Sequence, residues 1–218
     1  CPGDLPGGTI AQTVSQGVLK MKSKSLIAMA AGAAVSLFVI SQFYSVATAQ
    51  QSADWKPKWT ADGKLELPKG YREWVYLGSP LTPNALNDGK AGFPEYHNVY
   101  MHPEAYKIYK ETKEFPEGTI LLKELQLVKE GEEVDGSRTE VSGRGYFPAA
   151  FNGIDIAVKD SKRFAESQNW GYFNFGHHAP PYAASAAAAP IDACAACHIA
   201  SATKDMVFTE FYTILNTK

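Results

Sequence analysis

Near the C-terminal end, residues 192–200 read DACAACHIA and set two thiols and an imidazole at the spacing Cys194-x-x-Cys197-His198. Such a run attaches a c-type haem: each thiol forms a thioether with a vinyl group, and the adjacent histidine ligates the iron. Two other chemistries use cysteines in this way. A thioredoxin-like redox pair belongs beside a βαβ unit, and none surrounds this motif. A zinc site would need a further ligand from His97, His102, His177 or His178, in no recognised spacing. Cys1 lies in a segment set aside below, so neither motif cysteine has a disulfide partner elsewhere.

An electron-carrying haem adds a methionine or second histidine on the other side of the iron. Downstream of residue 49 only Met101 and Met206 remain, and Met206 follows His198 by eight residues, expected on a helix packed beside it. A five-coordinate iron with an open distal face is the expectation.

Residues 21–49 have basic Lys22 and Lys24, an apolar run from Leu26 to Ile40 and a small-residue end at Ala47-Thr48-Ala49. They read as a secretory signal cleaved before Gln50, which sends the protein to the periplasm. The apolar run falls short of the roughly 20 residues of a spanning helix, so no stable membrane anchor is expected after cleavage. Residues 1–20 precede Met21 and are set aside as an upstream segment. Residues 50–66 read as an N-terminal arm and 67–218 as one haem-binding domain. From residue 50 onward there are 18 basic and 22 acidic residues, a formal charge of −4, which gives no electrostatic case for nucleic acid.

The elements that must position the motif are mostly strands. REWVYLGS (72–79) is aromatic and β-branched, and PLTPNALNDGKAGFPE (80–95) is a loop by its prolines, glycines and Asn-Asp-Gly turn. YHNVYM (96–101) alternates so that His97, Val99 and Met101 share a face. Pro103 suits a first helical turn, and Ala105, Tyr106 and Tyr109 form a stripe. GTILLKELQLV (118–128) is the clearest strand, with Lys123 between Leu121 and Leu125 on one side and Glu124 on the other.

After a charged hairpin loop (129–138), TEVSGRGYF and FNGIDIAVKD read as two strands around Pro148. Counting by two puts Phe151, Gly153, Asp155 and Ala157 on one face. A short helix from Asp160, the aromatic strand WGYFNFG (170–176), a helix or close-packed connection over YAASAAAAP (182–190) and a helix at the haem motif complete the chain. MVFTEFYTILN (206–216) fits helix or strand. About five strands in meander order with flanking helices give an α+β domain on an antiparallel sheet, with haem c attached near the C-terminus.

LPKGYREWVYLGSPLTPNALNDGKAGFPE, GTILLKEL, GYF, VKDSKRFA, CAACH and TKDMVF resemble, in order and spacing, the cytochrome P-460 family from about Leu67 to Leu215. The resemblance implies an exported, homodimeric, monohaem c-type enzyme. Such enzymes oxidise hydroxylamine, to nitrous oxide when nitric oxide takes part or to nitrite with oxygen, and pass electrons to an acceptor such as another cytochrome. It also implies a covalent bond between a lysine and the haem, and the lysine of GTILLKEL is Lys123. A lysine set among leucines would hold its amine neutral and nucleophilic; the plainer alternative lays the stem over apolar surface and keeps the ammonium wet.

For the distal side the resemblance points to Asp155 as a base for the protons hydroxylamine loses, where a backbone-bonded turn residue is the alternative. His97 stands where relatives often carry arginine; it would shuttle a proton, or serve as an ordinary core histidine. Phe151 would crowd the iron and limit ligand size. His177 and His178 read as a solvated loop. A nitric-oxide-binding protein of the similar cytochrome c-prime-beta group, without the crosslink, and a simple electron carrier ligated by Met101 are the other functions this sequence admits.

Overall fold

The computed structural model describes residues 55–217; the signal and upstream segments lie outside the described residues. The elements are β1 (Leu65–Glu66), β2 (Val75–Gly78), β3 (Tyr96–Met101), α1 (Pro103–Thr112), β4 (Ile120–Val128), β5 (Arg138–Glu140), β6 (Gly143–Gly145), β7 (Pro148–Lys159), β8 (Trp170–Asn174), β9 (Ser185–Ala186), α2 (Ala195–Ser201) and α3 (Thr213–Asn216). Five strands form one antiparallel sheet in the order β2-β3-β4-β7-β8. The protein is therefore α+β, as its strand and helix patterns imply.

Alternation gives this sheet two apolar layers. On the rear, Ile120, Leu122, Ile154, Ile156 and Phe173 pack with Leu65, Trp59 and Phe164. On the front, Val99, Met101, Leu121 and Tyr172 pack under Ala105 and Tyr109 of α1 and under Met206 and Leu215. Each fully buried aliphatic side chain contributes about 1.5–3 kcal/mol. α1 starts where Pro103 allows it, with the His102 ring accepting from the Glu104 N–H at 3.2 Å, and stops at Lys113, whose φ of 59° is left-handed.

Four expectations change. The alanine-rich stretch is extended: β9 pairs with β1, and Ala188 bridges Phe173. Alanine has no strand preference of its own, and neighbouring strands impose the conformation. The segment after Asp160 is a turn, with Asp160 Oδ1 accepting from the Lys162 and Arg163 N–H groups, followed by a 3₁₀ turn at Ala165–Ser167. TEVSGRGYF runs through both strands of the small β5–β6 hairpin instead of joining the main sheet. Finally, β7 bulges at Asn152: Leu125 pairs with Gly153, but Gln126 pairs with Phe151. One extra residue reverses the alternation beyond it, so Phe151 leaves the face of Asp155. It lies at the rear, with the Arg72 guanidinium 4.3 Å from its ring.

Candidate haem site

α2 presents the motif to the front face. Cys194 is partly buried and Cys197 exposed, and neither is in a disulfide. His198 Nδ1 lies 2.7 Å from the Met206 carbonyl oxygen. A carbonyl only accepts, so Nδ1 carries the proton and Nε2 is left as a bare lone pair, the form an iron requires. The imidazole packs against Tyr172 at 4.5 Å and Phe208 at 4.9 Å between ring centroids. Burial holds it below the usual imidazole range; the Met206 acceptor opposes this and the Lys123 charge adds to it.

Burial pushes the Cys194 thiol up, the Asp155 charge adds to this, and the Lys123 charge opposes it. An activated redox cysteine is shifted the other way. Lys123 and Asp155 are thus electrostatic neighbours of the motif, although they precede Cys194 by 71 and 39 positions in the chain.

Those two residues are direct partners across β4 and β7, with Lys123 Nζ 3.0 Å from Asp155 Oδ2. Asn174, opposite Asp155 on β8, donates through Nδ2 to Oδ1 at 2.7 Å. Lys123 Nζ also stands 3.9 Å from the Phe93 ring centroid. The expected leucine surroundings are therefore corrected. Leu121 and Leu125 flank Lys123 along its own strand, but a cross-strand partner is nearer than residues two positions away, and that partner is a carboxylate. The alternative of Asp155 as a backbone-bonded turn residue also gives way, because it sits mid-strand with side-chain partners.

His97 lies on the same face, opposite Leu125. Its Nε2–H donates to the Phe93 carbonyl at 3.2 Å, which leaves Nδ1 as an acceptor. Burial, then the Lys123 charge, holds it below the usual range. Phe93, which sequence reasoning left inside a loop, touches both: its ring meets the His97 ring edge-on at 5.7 Å. The loop that carries it is tied down by Glu95, whose Oε1 accepts from His177 Nε2 at 2.6 Å and from Asn152 Nδ2 at 2.9 Å. His177 is thus bonded to a buried carboxylate instead of loose in solvent. An aromatic among glycines and prolines three residues before the strand was the available signal.

Phe151, on the rear, does not join this group. Met101 has no exposed surface and belongs to the front apolar layer, so it is not placed to bind a metal. Met206 sits in a turn, not a helix, and serves through its backbone. A cavity of about 280 Å³ beside β8 takes in Tyr172 and Ala195 but none of Lys123, Asp155, Cys197 or His198. It is separate from the chemistry.

Paired thiols without a disulfide, an Nε2 held as a lone pair and an apolar front layer beside them fit a c-type haem. A model of the cytochrome P-460 family matches residues 68–209, which carry every residue of this group. The chain belongs to the cytochrome P-460 family. As a P-460 cytochrome it is a haem protein, and Cys194, Cys197 and His198 are the residues that could hold the macrocycle and its iron. No curated protein matches the chain.

Proposed function

We propose that this P-460 cytochrome is a periplasmic enzyme that oxidises hydroxylamine at a five-coordinate haem c crosslinked to Lys123. The observation that carries the proposal is the Lys123–Asp155 pair. The family's crosslinking lysine and a carboxylate stand 3.0 Å apart on the sheet face that the haem motif adjoins. When bound, the haem supplies a Lewis-acidic iron and accepts electrons that an external carrier removes.

The protein's part is to place bases around the substrate. Asp155 Oδ1 is oriented by Asn174, so the carboxylate is aimed along the sheet surface and accepts protons as hydroxylamine is oxidised. His97, held neutral by burial, offers Nδ1 as a second acceptor. A Lys123 joined to the macrocycle would no longer present an ammonium to Asp155, which would leave that carboxylate available for proton transfer. Nitrous oxide formed with nitric oxide, or nitrite, is the product. Export through residues 21–49 and a homodimer complete the proposal; sedimentation of the haem-loaded chain would sink the dimer if it gave a single-chain mass.

Phe93 supports a second function, nitric oxide binding of the cytochrome c-prime-beta kind, because an aromatic ring over the front face is what an apolar gas-binding pocket needs. The spectrum of the ferrous protein separates the two. A red-shifted Soret band, lost in Lys123→Ala and accompanied by a tryptic peptide that joins Lys123 to haem, is expected together with hydroxylamine-dependent reduction of an acceptor dye. An ordinary c-type spectrum, unchanged by the substitution and with no dye reduction, rejects the enzyme in favour of the binding protein.

A further inference from the structure

The proximal side of the site is held by residues the proposed reaction does not use. The Met206 carbonyl that accepts from His198 is presented by a tight turn, closed by the Val207 N–H donating to the Lys204 carbonyl at 2.8 Å. Asp205 and Met206 have φ of 46° and 62°, both left-handed. Aspartate tolerates that region; methionine rarely enters it. Something outside the turn must therefore hold it.

That anchor is the Asp205 side chain. Its Oδ2 accepts from Lys159 Nζ at 2.6 Å and its Oδ1 from Trp170 Nε1 at 3.0 Å. Lys159 and Trp170 are direct partners across β7 and β8, so both donors stand on the sheet. Trp170 is fully buried, and Lys159 is fixed further by donating to the Phe115 carbonyl at 2.9 Å. One carboxylate thus connects the rigid sheet to the peptide that faces the proximal imidazole.

We propose that Asp205 is a positioning residue for the proximal ligand. By pinning the turn to Lys159 and Trp170, it fixes the carbonyl that accepts from His198 Nδ1 and so sets how strongly His198 Nε2 donates to the haem iron. The inference rests on His198 being the haem ligand. A firm Nδ1–H donation gives the imidazole anionic character and makes Nε2 a stronger ligand, which favours ferric iron. Loosening the turn weakens that donation and raises the midpoint potential.

The test is redox titration and ferrous resonance Raman spectroscopy of haem-loaded wild type, Asp205→Asn and Lys159→Met. Asp205→Asn keeps an acceptor for the Trp170 indole. In both variants we expect the iron–histidine stretching band at lower frequency and a higher midpoint potential, by on the order of tenfold in the ferric-to-ferrous ratio at fixed potential. The pair distinguishes position from charge. Removing an anion raises the potential through space and removing a cation lowers it, whereas a loosened turn moves both variants upward.

Potentials that move in opposite senses, or bands and potentials that stay at the wild-type values, overturn the proposal. If Asp205→Asn does not fold, Lys159→Met decides alone, since only its upward shift agrees with positioning. A wild-type chain without covalent haem, or with haem not ligated by His198, overturns the haem assignment itself. The positioning proposal fails separately only when the wild type is intact.

Discussion

His97 packs against Phe93 with one ring nitrogen bonded to a carbonyl, and the nearest cation is Lys123. Glu95 and Asp155 attract a proton to it, but burial and Lys123 prevail, so its pKa in the folded protein lies below the usual imidazole value of about 6.5. The unfolded chain therefore binds the proton first on acidification. Stability that His97 maintains above pH 6.5 is lost as pH falls towards its folded value. In urea unfolding of the haem-loaded protein from pH 8 to 5, the wild type should lose more stability than His97→Asn. Parallel curves would mean that His97 is solvated. The neutral imidazole was not legible in the sequence. Alternation placed His97 on the front face, but the ring that buries it comes from a loop, where no periodicity applies.

At the scale of elements, the bulge in β7 decides which side chains meet the haem side. Gly153, next to it, has φ of 155°, and a Cβ there would stand 2.8 Å from the Gly176 carbonyl oxygen and 3.2 Å from the His177 Cα. Both neighbours are backbone and cannot move aside. Gly153→Ala should destabilise the fold by about 1–3 kcal/mol, measured by urea denaturation. A loss under about 0.5 kcal/mol, within the range of an unremarkable surface substitution, would mean that the strand yields. β3, α1 and β4 were readable because their patterns run for six or more residues with clear ends. The bulge was not, since counting by two assumes no extra residue, and that assumption carried Phe151 to the wrong face. The same limit applies to Lys123. Its strand gave the leucines on either side, while its true partner lies on a strand some 30 residues later.

For the whole molecule, the sheet carries the two apolar layers while the motif helix contributes little. Ala195 is the buried residue of α2, a helix of seven residues. A helix that short is marginal without packing, so α2 depends on what it attaches. Compared with haem-loaded protein, a Cys194→Ala/Cys197→Ala chain should lose amide-exchange protection across 190–203 while β4 and β7 keep theirs. Equal protection in the two forms would show that the helix is self-sufficient. The sheet architecture and the family were thus legible from pattern and motif. The rest of the site was not, because cross-strand pairing, one bulge and a loop assemble it.

Lys123 and Glu124 are consecutive, yet they serve opposite faces. The amine faces Asp155, while Glu124, with no exposed surface, accepts from the Tyr71 hydroxyl at 2.6 Å and from Arg72 at 2.6 and 3.1 Å. An insertion or deletion in the first half of β4 would exchange them, bringing an anion to the haem side and a cation into the rear layer. In a library of single-residue indels, this half-strand should tolerate none. The far end of β7 already absorbs an extra residue without disturbing Asp155. Lineages of this fold are therefore free to change length at the loop end of the sheet, and at its centre only by substitution.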